Sequence, residues 1–134
     1  VGYPGTVARG AIRDAKKIAR LRDFTGLRFG KITPTDVDGL LEFRGKCYVL
    51  MEAKHGSAPL PDGQRIAYER LADDLMVAGK PMLVLHLIEM GPEPIDYAKC
   101  LVVRARVGGE WTQRYSGITC REAIDRFLRE NGIV

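Results

Sequence analysis

Asp36, Asp38, Glu52 and Lys54 form the densest cluster of polar residues within runs otherwise suited to apolar strands. A carboxylate set among strand residues loses hydration unless it pairs with a donor or binds a cation. Two runs suited to strands, Val37 to Phe43 and Lys46 to Ala53, are separated by Arg44-Gly45, which predicts a tight reversal and a β-hairpin. The reversal carries Glu52 back across the ladder to Asp38, so that both acids reach one hard divalent cation. Two carboxylates, the backbone carbonyl of Ala53 and water suit Mg²⁺, with Mn²⁺ as a substitute; Asp36 is the second choice for the first carboxylate. Alternation along the strand puts Tyr48, Leu50, Glu52 and Lys54 on one face and Cys47, Val49, Met51 and Ala53 on the other. Lys54 therefore falls beside the acids, where its charge can orient a nucleophile or offset charge developing on a phosphate. The plainer reading of the same residues is an ion cluster at a sheet edge, with Asp36 and Asp38 as caps in a turn begun by Pro34.

These side chains need a scaffold, and the pattern around them supplies one. Val7, Ala8, Ala11, Ile12, Ala15, Ile18 and Ala19 recur at helical spacing over residues 6–22, with Thr6 as a plausible cap. A short strand is expected around Leu27 to Ile32, giving three strands before a helix from about Gln64 to Val77 that carries Ala67, Tyr68, Leu71, Ala72 and Leu75 inward and stops at Gly79. Gln64 and Tyr68 lie one turn apart on that helix, where a glutamine facing the sheet is unusual as packing and can hold a phosphate oxygen or a water. Pro81 to Ile88 is apolar almost throughout, as in a central strand covered on both faces. A strand at roughly Ala98 to Val107 follows. Thr119 and Glu122 form a capping box for a last helix whose inner face is Ala123, Ile124, Phe127 and Leu128. The fold class is α/β: a mixed central sheet flanked by helices, in one domain.

Arg65 and Arg70 flank the candidate site, although each also has an acid four residues on, Glu69 and Asp74. Trp111 and Tyr115 read as closing the core against the last helix. His86, inside an apolar run, reads as a core histidine, and His55 as a loop residue beside Lys54. Cys47, Cys100 and Cys120 form no paired thiolate motif, so buried reduced thiols are expected rather than zinc ligands or disulfides.

The 134 residues carry 21 Lys+Arg against 17 Asp+Glu, a net +4, and are 46% hydrophobic and 28% charged, which suits a folded domain rather than a disordered tail. The surplus sits at the front: residues 1–31 hold eight Lys/Arg and two Asp. Arg9, Arg13, Lys16, Lys17 and Arg20 form a basic stripe that, with Arg65, suits the phosphates of a nucleic acid; a solvated helix face is the alternative. No apolar run reaches the ~20 residues of a membrane span, so no membrane partner is expected and a cytoplasmic protein is, in the host cytoplasm if the chain is viral.

The order Asp38, then Glu52-Ala53-Lys54, then Gln64-Arg65-Ile66-Ala67-Tyr68 resembles the PD-(D/E)XK nuclease superfamily, particularly its RecB-like branch with a QxxxY element in the helix after the catalytic hairpin. The resemblance implies a restriction-endonuclease-like αβββαβ core over about residues 6–88, with residues 89–134 adding a strand and a helix. It implies that Asp38 and Glu52 bind the metal, that Lys54 is the catalytic lysine, and that Gln64 and Tyr68 support the site. Many relatives place an acid on the first helix, where Asp14 is the candidate. No proline immediately precedes Asp38 as the family label suggests, whereas Pro34 lies two residues before Asp36. The activity implied is Mg²⁺-dependent hydrolysis of DNA phosphodiesters, directed by DNA structure or a partner, as in small phage nucleases and recombination or repair enzymes. A homodimer or higher oligomer would be needed to cut both strands. A catalytically inactive nucleic-acid-binding or assembly module of the same fold is the alternative, and a Mg²⁺ hydrolase of small phosphorylated substrates a third.

Overall fold

Arg44 and Gly45 turn the chain with φ values of 54° and 73°, both in the left-handed region that mirror-image hairpin turns require. They join β1 (Gly39–Glu42) to β2 (Tyr48–His55) in antiparallel register, with Gly39 opposite Met51 and Glu42 opposite Tyr48. A Cβ on Gly39 would lie 3.1 Å from the Met51 side chain, so glycine lets the head of β1 settle closely on β2. This register sets Asp38, one residue earlier, at the open end of the hairpin.

The computed structural model describes residues 23–89 and 91–133. The expected first helix, with Arg9, Arg13, Asp14, Lys16, Lys17 and Arg20, lies outside the described residues. A boundary between Pro34 and Thr35 divides the chain into two units. In the first, a short 3-10 turn (Thr25–Leu27) follows Asp23, whose carboxylate accepts from the Thr25 amide at 3.0 Å and hydroxyl at 2.7 Å. The strand expected near Leu27–Ile32 is instead a single bridge between Phe29 and Ile32 across a turn at Gly30. Gly26 and Gly30 leave too short an uninterrupted run for a ladder. Two strands rather than three therefore precede the long helix among the described residues.

In the second unit, α1 (Asp62–Val77) crosses from β2 to β3 (Met82–Glu89), which pairs parallel to β2 from Tyr48↔Met82 to His55↔Glu89. The helix stops at Gly79 (φ 79°), where the Lys80 amide bonds the Leu75 carbonyl and the Gly79 amide that of Met76, closing a Schellman motif. A 3-10 turn (Tyr97–Lys99) precedes β4 (Leu101–Val107), so that strand begins three residues later than its sequence suggests. A short β5 (Glu110–Thr112) and α2 (Cys120–Glu130) complete the unit. The result is a mixed sheet ordered β1-β2-β3-β4-β5, flanked by two helices, with β3 central as its apolar run predicts.

Each face of the sheet has its own core. Leu50, Met82 and Val84 meet Tyr68 and Ala72 of α1 on one side. On the other, Val49, Met51, Leu83, Leu85 and Leu87 meet Tyr115, Cys120, Ala123, Ile124 and Phe127. The alternation expected for β2 is what divides them. Leu71, assigned inward from spacing, is 46% exposed, because the inner stripe of α1 runs Gln64-Tyr68-Ala72-Leu75 and Leu71 lies to one side of it. The capping box is present: Thr119 accepts from the Glu122 amide and Glu122 from the Thr119 amide. All three cysteines are buried thiols outside any disulfide, and burial lifts the Cys120 thiol to about 11. None of the described helices is long and apolar enough to cross a membrane.

Arg44 is the one residue other than glycine with positive φ among those described. Replacing it with Asn, which tolerates that conformation, should stabilise the fold by about 0.5–1 kcal/mol, read as a higher midpoint in urea unfolding. An unchanged or lower midpoint would count against strain at this turn.

Candidate active site

The carboxyl ends of the parallel strands β2 and β3 gather the polar residues. Glu52, 3% exposed, projects from β2 toward α1. Its Oε1 lies 2.7 Å from the Tyr68 hydroxyl and 3.4 Å from the Asp38 amide, and its Oε2 lies 3.4 Å from Lys54 Nζ. Asp38 reaches back to the same strand, where its Oδ2 accepts from the Ala53 amide at 2.9 Å and from the Tyr97 hydroxyl at 3.2 Å. The N–H and C=O of one strand residue point to the same edge. The Ala53 carbonyl therefore faces the open end of the hairpin beside Asp38 rather than the β3 ladder.

From the first two turns of α1, Gln64 Nε2 donates to the Asp36 carbonyl at 2.9 Å, and the Tyr68 hydroxyl lies 3.0 Å from the same oxygen. Tyr68 has one proton, and the Glu52 carboxylate is the stronger acceptor for it. Because the Asp36 carbonyl can only accept, the Gln64 amide is fixed with its nitrogen there. Gln64 Oε1 is left as a buried acceptor without a partner.

Burial holds the Glu52 carboxyl above its usual range, and the charge of Asp38 pushes the same way; the Tyr68 hydrogen bond and Lys54 only partly offset this. Tyr68 and Tyr97 are both driven upward, first by burial and then by the neighbouring carboxylates, so they remain protonated donors. His86 is 5% exposed, and its Nε2 lies 3.2 Å from the Ala58 carbonyl. That carbonyl requires Nε2–H, which makes Nδ1 an acceptor, again buried and without a partner. Burial lowers the pKa of His86, with the charges of Arg104 and Lys54 adding to the effect, so its imidazole is neutral.

Asp38, Glu52, Lys54, Gln64 and Tyr68 are thus brought together, while Asp36 enters through its main-chain carbonyl. Arg65 is turned to its own helix, 3.0 Å from Glu69 and 3.6 Å from Asp62. His55 is exposed, 3.6 Å from Glu89. Tyr115 closes against the last helix as expected, its hydroxyl donating to Glu130 at 2.8 Å. Trp111 does not. It packs on the opposite face, where Nε1–H donates to Glu69 at 2.7 Å and the Arg104 guanidinium lies 4.3 Å from the ring centroid. The reason is its pairing with Arg106 of β4, whose side chain faces α1. Sequence reasoning also missed Tyr97, which sits in a 3-10 turn that carries no periodic signal.

No protein-family model, curated protein or solved structure matches the chain. Among the described residues no group of three or more His, Cys, Asp and Glu side chains is placed to hold a metal ion. A hard cation at this site would rest on the two carboxylates and on neutral oxygens. Asp38, Glu52 and the carbonyl of Ala53 are oxygen donors of the kind such a cation takes.

A carboxyl whose pKa rises on folding binds its proton more tightly in the native state, so it costs stability as pH climbs from the unfolded value of 4.5 through the folded one. Glu52→Gln, which keeps an acceptor for Tyr68, should melt at a higher temperature than wild type at pH 7 in EDTA. The difference should shrink as pH falls through the folded value toward 4.5 and be gone below it. A lower melting temperature for the variant at neutral pH would mean that Lys54 and Tyr68 fully compensate the buried charge.

Proposed function

We propose that the protein is a metal-dependent nuclease that hydrolyses DNA phosphodiester bonds, with a restriction-endonuclease-like fold. The observation that supports this most is the convergence, at one end of the sheet, of Asp38, Glu52 and Lys54 from the hairpin with Gln64 and Tyr68 from the next helix. These five are the residues through which the sequence resembles the PD-(D/E)XK superfamily. The sheet carries β2 and β3 in parallel around a crossover helix, an arrangement compatible with that fold.

Asp38 and Glu52, with the Ala53 carbonyl, would hold Mg²⁺ or Mn²⁺. A divalent cation supplies neutralisation of phosphate charge and acidification of an attacking water. Lys54, 3.4 Å from Glu52, places a cation beside the reacting phosphorus and stabilises the charge that develops on its oxygens. Tyr68 and Tyr97 hold the two carboxylates in place by donating to one oxygen of each. Gln64 Oε1, a buried acceptor without a partner, would accept a hydrogen bond from the attacking water and orient it. Action on both strands of a duplex would call for two copies of the chain.

A second reading, a nucleic-acid-binding or assembly module without activity, is favoured by one observation. Both carboxylates already have protein donors, and no third acidic or imidazole ligand joins them among the described residues. Incubation with supercoiled plasmid and with branched DNA, in Mg²⁺ and in EDTA, separates the two. Cleavage in Mg²⁺ only is expected, reduced about 10²-fold or more by Glu52→Ala and by Lys54→Ala. Binding without cleavage would select the second reading, and cleavage that survives both substitutions would remove these residues from the mechanism.

A further inference from the structure

One row of the sheet continues past the candidate site. Glu52 of β2 pairs with His86 of β3, and His86 with Arg104 of β4, all three on the face that α1 covers. The ladder shifts register just after His86, so Val102 and Ala105 both enter the opposite core while Arg104 and Arg106 share the α1 face. Neighbouring strands lie about 4.8 Å apart, which sets the Arg104 backbone roughly 10 Å from that of Glu52.

The two arginines are used differently. Arg106 is 7% exposed and fully engaged, donating to the Glu69 carbonyl, Asp73 and the Gly109 carbonyl. Arg104 is half-buried, and among the described residues it has neither a carboxylate partner nor a hydrogen-bond acceptor; its guanidinium rests on the Trp111 ring. A guanidinium held over a ring face spends none of its five N–H donors, which lie in its own plane, on that contact. Trp111 is itself pinned by Glu69, whose charge is already met by Arg65 at 3.0 Å. Between Arg104 and Glu52 lies His86, whose Nδ1 is a buried acceptor without a partner. A half-buried cation with free donors, beside an orphaned polar atom and in line with the two carboxylates, is the signature of a ligand subsite rather than of a core.

We infer that Arg104, held on Trp111, binds a second phosphate of the DNA strand whose scissile phosphate lies at Asp38, Glu52 and Lys54, so that the strand passes that end of the sheet from the β2 side toward the β4 side. This rests on the nuclease reading and gives its site a direction. Arg104 is a binding residue that acts through charge and its planar fork. His86, buried beneath the Ala58 carbonyl, separates Arg104 from Glu52 and keeps the row from closing on an internal ion pair.

The test is fluorescence anisotropy of a labelled single-stranded DNA in EDTA, where no metal-dependent cleavage occurs, repeated over a range of salt. Arg104→Gln, which keeps the length and polarity of the side chain, should weaken binding about tenfold and lower the log–log salt slope by about 0.7, one single-strand phosphate contact. Arg104→Lys should keep most of the slope, and Arg121→Ala, on the helix of the opposite face, should change neither quantity. Melting curves confirm that each variant is folded. Wild-type affinity and slope in folded Arg104→Gln would overturn the subsite, even if Mg²⁺-dependent cleavage stands. Binding that depends on Arg104 without any cleavage would keep the subsite and remove the nuclease reading. Failure of the wild-type protein to bind DNA would overturn both.

Discussion

Glu52 is a carboxylate on a strand whose neighbours on both sides are core residues, and almost none of it reaches water. A group in that position must be met by donors, and the arrangement at this end of the sheet follows from meeting it. Tyr68 supplies the strongest hydrogen bond and so fixes the rotation of α1 about its axis. Lys54 comes from the same face of the same strand, two residues on. Asp38 adds a second negative charge at the head of the hairpin instead of relieving the first, and burial and repulsion together hold the Glu52 carboxyl high. Two acids are thus kept close by hydrogen bonds from the surrounding frame in spite of their charge, and the proposed cation would offset that charge.

The rest of the fold serves this frame. The Arg44-Gly45 turn sets a register in which Asp38 meets the Ala53 amide, and a slip of one residue would carry Glu52 to the opposite core. The parallel pairing of β2 with β3 requires a crossover, and α1 provides it while presenting Gln64 and Tyr68 over the strand ends. The far face, packed by Phe127, Ala123 and Tyr115 with no acidic or basic side chain among its buried residues, anchors the sheet and leaves the charged groups to the α1 side.

Much of this was legible in the sequence, and for definite reasons. Period-two alternation assigned Glu52 and Lys54 to one face, a turn dipeptide located the hairpin, and the four-residue spacing of Gln64 and Tyr68 put both on the inner side of a helix. Local signals also located the capping box and the central strand. What escaped was decided by tertiary contacts. Tyr97 reaches Asp38 from an irregular turn with no periodicity to mark it. Trp111 was assigned to the wrong core because a three-residue strand carries too little pattern to fix which face its residues take. Arg104 drew no notice, since the register shift that turns it toward α1 depends on the pairing partner rather than on its own neighbours. Leu71 is the converse case, an apolar residue that spacing placed inward and that packing left exposed.

The central claim is that Asp38 and Glu52 form one cation site. Crystals grown without metal, soaked in Mn²⁺ and measured for anomalous scattering, test it most directly. The predicted result is a single peak about 2.1 Å from a carboxylate oxygen of each residue, lost in Glu52→Gln. Well-ordered crystals with no peak between the two carboxylates, or with one held by other residues, would contradict it.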